Sequence, residues 1–191
     1  MKKIKSVCVY CASSSKINPR YFEAARETGR LLAQNGMRCV CGAGNQGLMG
    51  TLADSVLKNG GEVLGVIPRF MIDEGWCHKG LTETIVTADM HERKERMAQE
   101  ADAVIALPGG CGTMEELFEI ITWKQLGLFL NPIVILNIDG YYNPLIEMLH
   151  NAIGENFMRQ EHARMWQVAQ TPQEAVDAIP VSYTHLTLPT T

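Results

Sequence analysis

Ala103-Val-Ile-Ala-Leu-Pro-Gly-Gly-Cys-Gly-Thr-Met-Glu-Glu116 joins a short apolar run, a glycine loop and the first turn of a helix. The run Ala103 to Leu107 is bounded by Asp102 and Pro108, the pattern of a strand buried on both faces. Gly109, Gly110 and Gly112 let the main chain approach a ligand closely, and the free amides of a helix start attract phosphate without any basic side chain. Thr113 can add a hydroxyl. Positions three apart share a helix face, so Thr113 and Glu116 project to the same side, while Glu115 lies about a quarter turn away. The stretch therefore reads as an anion cradle beside an acid or base.

Outward from it, short apolar runs alternate with amphipathic segments. Strands are expected at Ser6 to Cys11, Met37 to Cys41, Glu62 to Ile67, Thr84 to Thr87, Ala103 to Leu107 and Ile133 to Leu136, with helices between most of them. Asn35-Gly36 and Asn59-Gly60-Gly61 read as helix stops just before strands two and three. Such alternation predicts an α/β fold: a Rossmann-like open, mainly parallel sheet with helices on both faces. The chain has 191 residues, which suits one domain, expected over 1–179. Pro68 to Thr82 is the one long irregular stretch and a candidate active-site loop. A last helix is expected from Pro172 to Ala178. Residues 180–191, without charge pattern or periodicity, read equally as a native extension or a non-native tail.

A formal net charge of −4 leaves no basic face for nucleic acid, and Arg93, Lys94 and Arg96 belong to a mixed-sign segment. No apolar run approaches the roughly 20 residues that span a bilayer, so a cytoplasmic protein without membrane partners is expected. Six cysteines are too sparse for a disulfide scaffold. Cys8 and Cys11 would face opposite sides of a strand and Cys39 and Cys41 the same side, which favours core thiols over a metal or redox site. None of the five histidines has metal-ligand spacing, and no metal is expected.

A second cluster, Gly42-Ala-Gly44-Asn-Gln-Gly47-Leu-Met-Gly50, contains a Gly-x-Gly-x-x-Gly pattern. A dinucleotide fingerprint needs an acid at the end of the following strand, where Val66-Ile-Pro-Arg69 stands instead. The cluster is read as a second wall of a nucleotide pocket, with a plain strand-to-helix turn as the alternative. Asp89-Met-His-Glu92 is a capping box opening a helix to Ala101, on which Met90, Met97 and Ala101 form an apolar stripe. Arg93 either points its stem inward beside that stripe or belongs to a solvated charged face. The helix after Gly112 carries Met114, Leu117, Phe118 and Ile121 on one stripe and Ile120, Trp123 and Leu126 on another. That arc is too wide for one core, which makes a dimer interface a fair expectation.

With these residues in view, the chain resembles the LOG proteins, cytokinin riboside 5′-monophosphate phosphoribohydrolases often once labelled lysine decarboxylases. Pro108-Gly-Gly-Cys-Gly-Thr-Met-Glu-Glu116 fits their Pro-Gly-Gly-x-Gly-Thr-x-x-Glu signature, Met90-His-Glu-Arg-Lys94 fits their Arg-Lys element, and Gly47-Leu-Met-Gly50 looks like their first glycine loop. The resemblance implies that the substrate is a nucleoside 5′-monophosphate and that Arg93 and Glu116 are a catalytic pair. It also implies that Gly109, Gly110, Gly112 and Thr113 hold the 5′-phosphate. Lys94, Glu115, Thr122 and Glu74 would line the nucleotide site, with Gly42, Gly44, Gly47 and Met90 beside them. A homodimer with the site near the subunit boundary is implied as well. No cofactor is expected: pyridoxal phosphate needs a Schiff-base lysine, and neither glycine loop carries one. The competing reading is a non-catalytic Rossmann-like nucleotide or cofactor carrier. A carboxylate beside a phosphate weakens binding by repulsion, so Glu116 favours an enzyme.

Overall fold

The computed structural model describes residues 4–181. Seven strands form one sheet: β1 (Ser6–Tyr10), β2 (Arg38–Cys41), β3 (Val63–Pro68), β4 (Glu83–Thr87), β5 (Ala103–Ala106), β6 (Ile133–Leu136) and β7 (Gln167–Ala169). Their spatial order is β4-β3-β2-β1-β5-β6-β7 and every pairing is parallel. The seven helices are α1 (Pro19–Gln34), α2 (Gly47–Lys58), α3 (Arg69–Asp73), α4 (Met90–Gln99), α5 (Cys111–Gln125), α6 (Asn143–Gly154) and α7 (Pro172–Val181). This is the Rossmann-like α/β layer the sequence predicts.

Strand alternation splits the core into two faces. Val7, Val9, Cys11, Ile105 and Leu107 pack with Leu32 of α1, Leu48 and Leu52 of α2, and Val176 of α7. Cys8, Tyr10, Val104 and Ala106 point the other way, toward Met97 of α4, Leu117 and Ile120 of α5, and Leu149 of α6. Cys8 and Cys11 thus sit on opposite faces and Cys39 and Cys41 on one, and all six cysteines are free thiols. Burial pushes the Cys8 and Cys11 thiols up, as suits inert core groups. Among the described residues no helix is long and apolar enough to cross a membrane.

Four expectations need correction. Strand β7, only Gln167-Val-Ala, was missed because a three-residue edge strand with one buried side chain carries no apolar run. The stretch 68–82 is not wholly irregular, since α3 occupies Arg69–Asp73 directly after Pro68, which stands at its N-cap with φ −70°. One helical turn is too short to show periodicity. On α5, Leu117, Ile120 and Ile121 share a single inner arc with Thr113, Glu116 and Lys124, while Phe118 and Leu126 face outward. The last helix runs past residue 179 to Val181, and residues 182–191 of the expected tail lie outside the described residues.

Candidate active site

The chain lays β1 to β4 out to one side, then returns to place β5 to β7 on the other side of β1. Loops leaving the carboxyl ends of β1 and β5 therefore diverge, and a crevice opens at this switch point. A cavity of about 560 Å³ lies there, bordered by the loop after β1 (Cys11 to Ser14), the loop after β2 (Gly42, Gly44, Asn45, Gln46) and the start of α5 (Gly110 to Thr113, with Glu116). Met90 and Arg93 of α4 close one side, and Met49, Met71 and Trp76 supply apolar surface.

Arg93 is buried, at 4% exposure, which decides between its two sequence readings. Arg93, Lys94, Met97 and Ala98 make the inward face of α4, whereas Met90 is exposed and borders the cavity rather than the core. The Arg93 Nε donates to the Val66 carbonyl of β3 at 3.1 Å, and Nη1 donates to Glu116 Oε1 at 2.7 Å. A Cβ on residue 42 would overlap Nη2 of Arg93, so glycine at 42 is what lets the guanidinium pass over the chain. Burial pushes the Glu116 carboxyl above its ordinary range, opposed by the charge and hydrogen bond of Arg93. The pair is held from two elements, with one carboxylate oxygen fixed and Oε2 accepting no hydrogen bond from a described residue.

The two glycine loops differ at their helix starts. On α2, the Leu48 and Met49 amides both donate to the Ala12 carbonyl, at 3.0 and 3.3 Å, so that end is already occupied. Gly47 opens it with φ +61°, close under the Ser13 and Ser14 carbonyls. On α5 no side chain caps the first turn, and added Cβ atoms at Gly110 and Gly112 would meet nothing within 4 Å. An anion fits the α5 end and not the α2 end.

Of the expected site residues, Gly42, Gly44, Met90, Arg93, Gly110, Gly112, Thr113 and Glu116 are brought together around the cavity. Gly47 and Gly109 lie behind the wall; a Cβ on Gly109 would overlap the Thr113 hydroxyl. Lys94 and Glu115 do not border it: buried Lys94 bonds Glu115 and, at 3.1 Å, Glu119, bracing α4 against α5 behind the Arg93–Glu116 pair. The Thr122 hydroxyl donates to the Phe118 carbonyl within its own helix, and Glu74 follows α3 outside the cavity lining. Sequence reasoning missed Ser13, Ser14, Asn45 and Trp76. Asn45 and Trp76 nevertheless fall inside stretches that the sequence marks, 42–50 as a pocket wall and 68–82 as a candidate active-site loop, whereas Ser13 and Ser14 could be found only from the topology, which makes the end of β1 the switch point. Asn45 and Trp76 meet because the Asn45 amide donates to the Trp76 carbonyl and its side chain to the Gly75 carbonyl.

No lysine lines the cavity, so pyridoxal phosphate has no Schiff-base partner there. Lys124, whose amine burial lowers to about 8, donates to the Leu130 and Asn131 carbonyls.

The fold is shared with molybdenum cofactor proteins of low identity. The molybdenum cofactor binding protein of Rippkaea orientalis matches with a TM-score of 0.71 and 20% identity, over 96% of this chain and all of that one. The Moco carrier protein of Chlamydomonas matches with a TM-score of 0.72 and 18% identity, again over 96% and 100%. At these identities they speak for architecture alone. Among curated relatives, cytokinin riboside 5′-monophosphate phosphoribohydrolase LOG7 of Arabidopsis thaliana is 43% identical over 174 residues, 91% of this chain and 80% of its own. The enzyme LOG of Oryza sativa subsp. japonica is 40% identical over 91% of this chain and 72% of its own. A family model described as "possible lysine decarboxylase" matches residues 49–179, which takes in α4 with Arg93 and the whole glycine loop of α5. The chain belongs to this family, the one that contains the LOG phosphoribohydrolases.

Proposed function

We propose that the protein hydrolyses the N-glycosidic bond of adenosine 5′-monophosphates, with or without an N6 substituent, to free base and ribose 5-phosphate. The observation that carries this reading is a buried Arg93–Glu116 pair bordering the same cavity as an uncapped helix start. Relatives about 40% identical over most of the chain carry the matching activity in their names.

In this reading the 5′-phosphate rests on the amides of Gly110 and Gly112 and the Thr113 hydroxyl, and fixes the ribose near Glu116. Breaking the C1′–N bond builds positive charge at C1′ and negative charge on the base. The Glu116 carboxylate stabilises that C1′ and takes a proton from the water whose oxygen bonds to C1′; the base leaves with the bonding electron pair and takes up a proton. Arg93, which keeps its proton at ordinary pH, orients the carboxylate. Met49, Met71, Met90 and Trp76 give the base an apolar seat. Lys94 and Glu115 serve the site from behind, by holding α4 to α5.

The working unit would be residues 1–179, acting as a homodimer through the exposed apolar residues of α5 and the loop after it, Phe118, Leu126, Leu128 and Leu130. Six free thiols suit a reducing compartment such as the cytoplasm. The carrier reading gives Glu116 no task. Incubating the purified protein with a panel of nucleoside monophosphates and assaying free base with ribose 5-phosphate tests the proposal. Turnover of adenosine monophosphates is expected; no release from any member of the panel rejects it.

A further inference from the structure

Two phenols grip the glycine loop from the side away from the cavity. The Tyr142 hydroxyl donates to the Leu107 carbonyl at 2.6 Å and the Tyr141 hydroxyl to the Gly109 carbonyl at 2.7 Å. Both come from the turn after β6, where Asp139 (φ 48°) and Gly140 (φ 74°) adopt left-handed backbone. Asn137, buried, holds that turn by accepting the Tyr142 amide at 2.7 Å and donating to the Asn143 side chain at 2.8 Å. The Tyr141 ring is fixed edge-on by Tyr21 and Tyr142, at 5.7 and 5.0 Å between centroids. Arg20 in turn lies over Tyr21 and pairs with Asp139 at 2.9 Å.

The two hydrogen bonds have different consequences. In a planar trans peptide the C=O and N–H point in opposite directions. Pinning the Gly109 carbonyl to Tyr141 therefore turns the Gly110 N–H to the opposite side. Gly110 borders the cavity, Tyr141 does not, and the Gly110 N–H has no acceptor among the described residues. With no side chain on either residue, the Gly109–Gly110 peptide has wide conformational freedom, and the Tyr141 hydrogen bond is a direct restraint on its orientation. The Leu107 carbonyl belongs to the peptide of Pro108, which has no N–H to aim.

We infer that Tyr141 is a positioning residue that aims the Gly110 amide at the substrate's phosphate, while Tyr142 only anchors the loop. The inference rests on the proposed seating of a phosphate at α5. Tyr141→Phe keeps the ring and deletes the hydroxyl at a half-exposed site that tolerates the change. Losing one aimed amide should weaken binding of inorganic phosphate and of ribose 5-phosphate about 3- to 10-fold and raise KM for the nucleotide alike, with kcat within about twofold. In a glycine-labelled 15N spectrum, the phosphate-induced shift of the Gly110 amide should shrink in the same variant. Tyr142→Phe should lower the melting temperature and leave phosphate affinity as in the wild type. Equal phosphate affinity and KM in wild type and Tyr141→Phe overturns the inference, as does equal weakening by Tyr142→Phe. If the wild type cleaves nucleotides while Tyr141→Phe leaves phosphate affinity and the Gly110 shift unchanged, the proposed reaction stands and Tyr141 is removed from it. A wild type that neither cleaves nucleotides nor binds phosphate removes both.

Discussion

Glu116 combines two opposing demands: burial raises its proton affinity, and Arg93 lowers it. The first is the larger, so the folded protein holds this proton more tightly than the unfolded chain does. Its contribution to stability therefore falls as pH rises from the ordinary glutamate value of about 4.3 through the raised one. If the carboxylate is the working form, kcat/KM should rise with pH along an acid limb centred above that ordinary value, and Arg93→Ala should shift the limb upward. Both Glu116→Gln and Arg93→Ala should cut turnover by roughly 100-fold or more, the usual weight of a positioned acid–base group. A wild-type limb at the ordinary value, or near-normal turnover in either variant, counts against the pair. Gly42 belongs to the same unit although it carries no chemistry. Gly42→Ala places a methyl where Nη2 of Arg93 lies, and the displaced guanidinium should lower kcat/KM about 100-fold in a protein that still folds. Steady-state kinetics beside a circular dichroism melt separates the two.

At the level of elements, the glycine loop of α5 holds residues of two kinds. Gly112 faces open space, so Gly112→Ala should leave stability unchanged or raise it by about 0.5 kcal/mol, yet raise KM roughly tenfold by filling the phosphate's place. Gly109 faces Thr113, whose Cβ would stand 2.5 Å from an added Cβ, and Gly109→Ala should cost about 1–3 kcal/mol as well as affinity. Denaturant melts paired with KM values distinguish these outcomes; equal behaviour of the two variants contradicts the assignment. The strand-loop-helix grammar of this region was legible in the sequence because Ala103 to Leu107 is apolar throughout and three glycines follow. The helix start at Asp89 was legible too: Asp89 Oδ1 accepts from the His91 and Glu92 amides at 2.8 and 2.9 Å, but the returning arm of the expected capping box misses, since Glu92 accepts from the Ala88 amide at 2.7 Å and not from that of Asp89. What could not be read was which charges of Glu92-Arg-Lys-Glu-Arg96 turn inward. Helical spacing fixes relative faces, and the face that meets β3 is chosen by tertiary contacts such as Arg93 to the Val66 carbonyl. The Tyr141 and Tyr142 grip was equally out of reach, being a contact between loops more than thirty positions apart.

For the whole molecule, the outer face of α5 and the loop beyond its C-terminal end expose Phe118 (41%), Leu126 (60%), Leu128 (71%) and Leu130 (67%), a concentration of apolar surface. Leu126→Glu combined with Leu130→Glu should convert a dimer to monomer in sedimentation velocity; an unchanged profile argues against this face as the interface. The wide apolar arc on α5 was visible in the sequence, but its division was not, since Ile120 and Ile121 both went inward and left Phe118 and Leu126 outside.

The switch point has one more consequence. Residues 11–14 and 42–46 come from the half of the sheet that grows away from β1 in one direction, and residues 110–116 from the half that grows in the other; at the sheet's midline the halves meet through the β1–β5 ladder. A small molecule wedged there rivets the two wings together, and because the unfolded chain has no such seam, the rivet stabilises only the native form. Ribose 5-phosphate at a hundred times its Kd should add about 2.7 kcal/mol to the unfolding free energy and make the two wings melt as one.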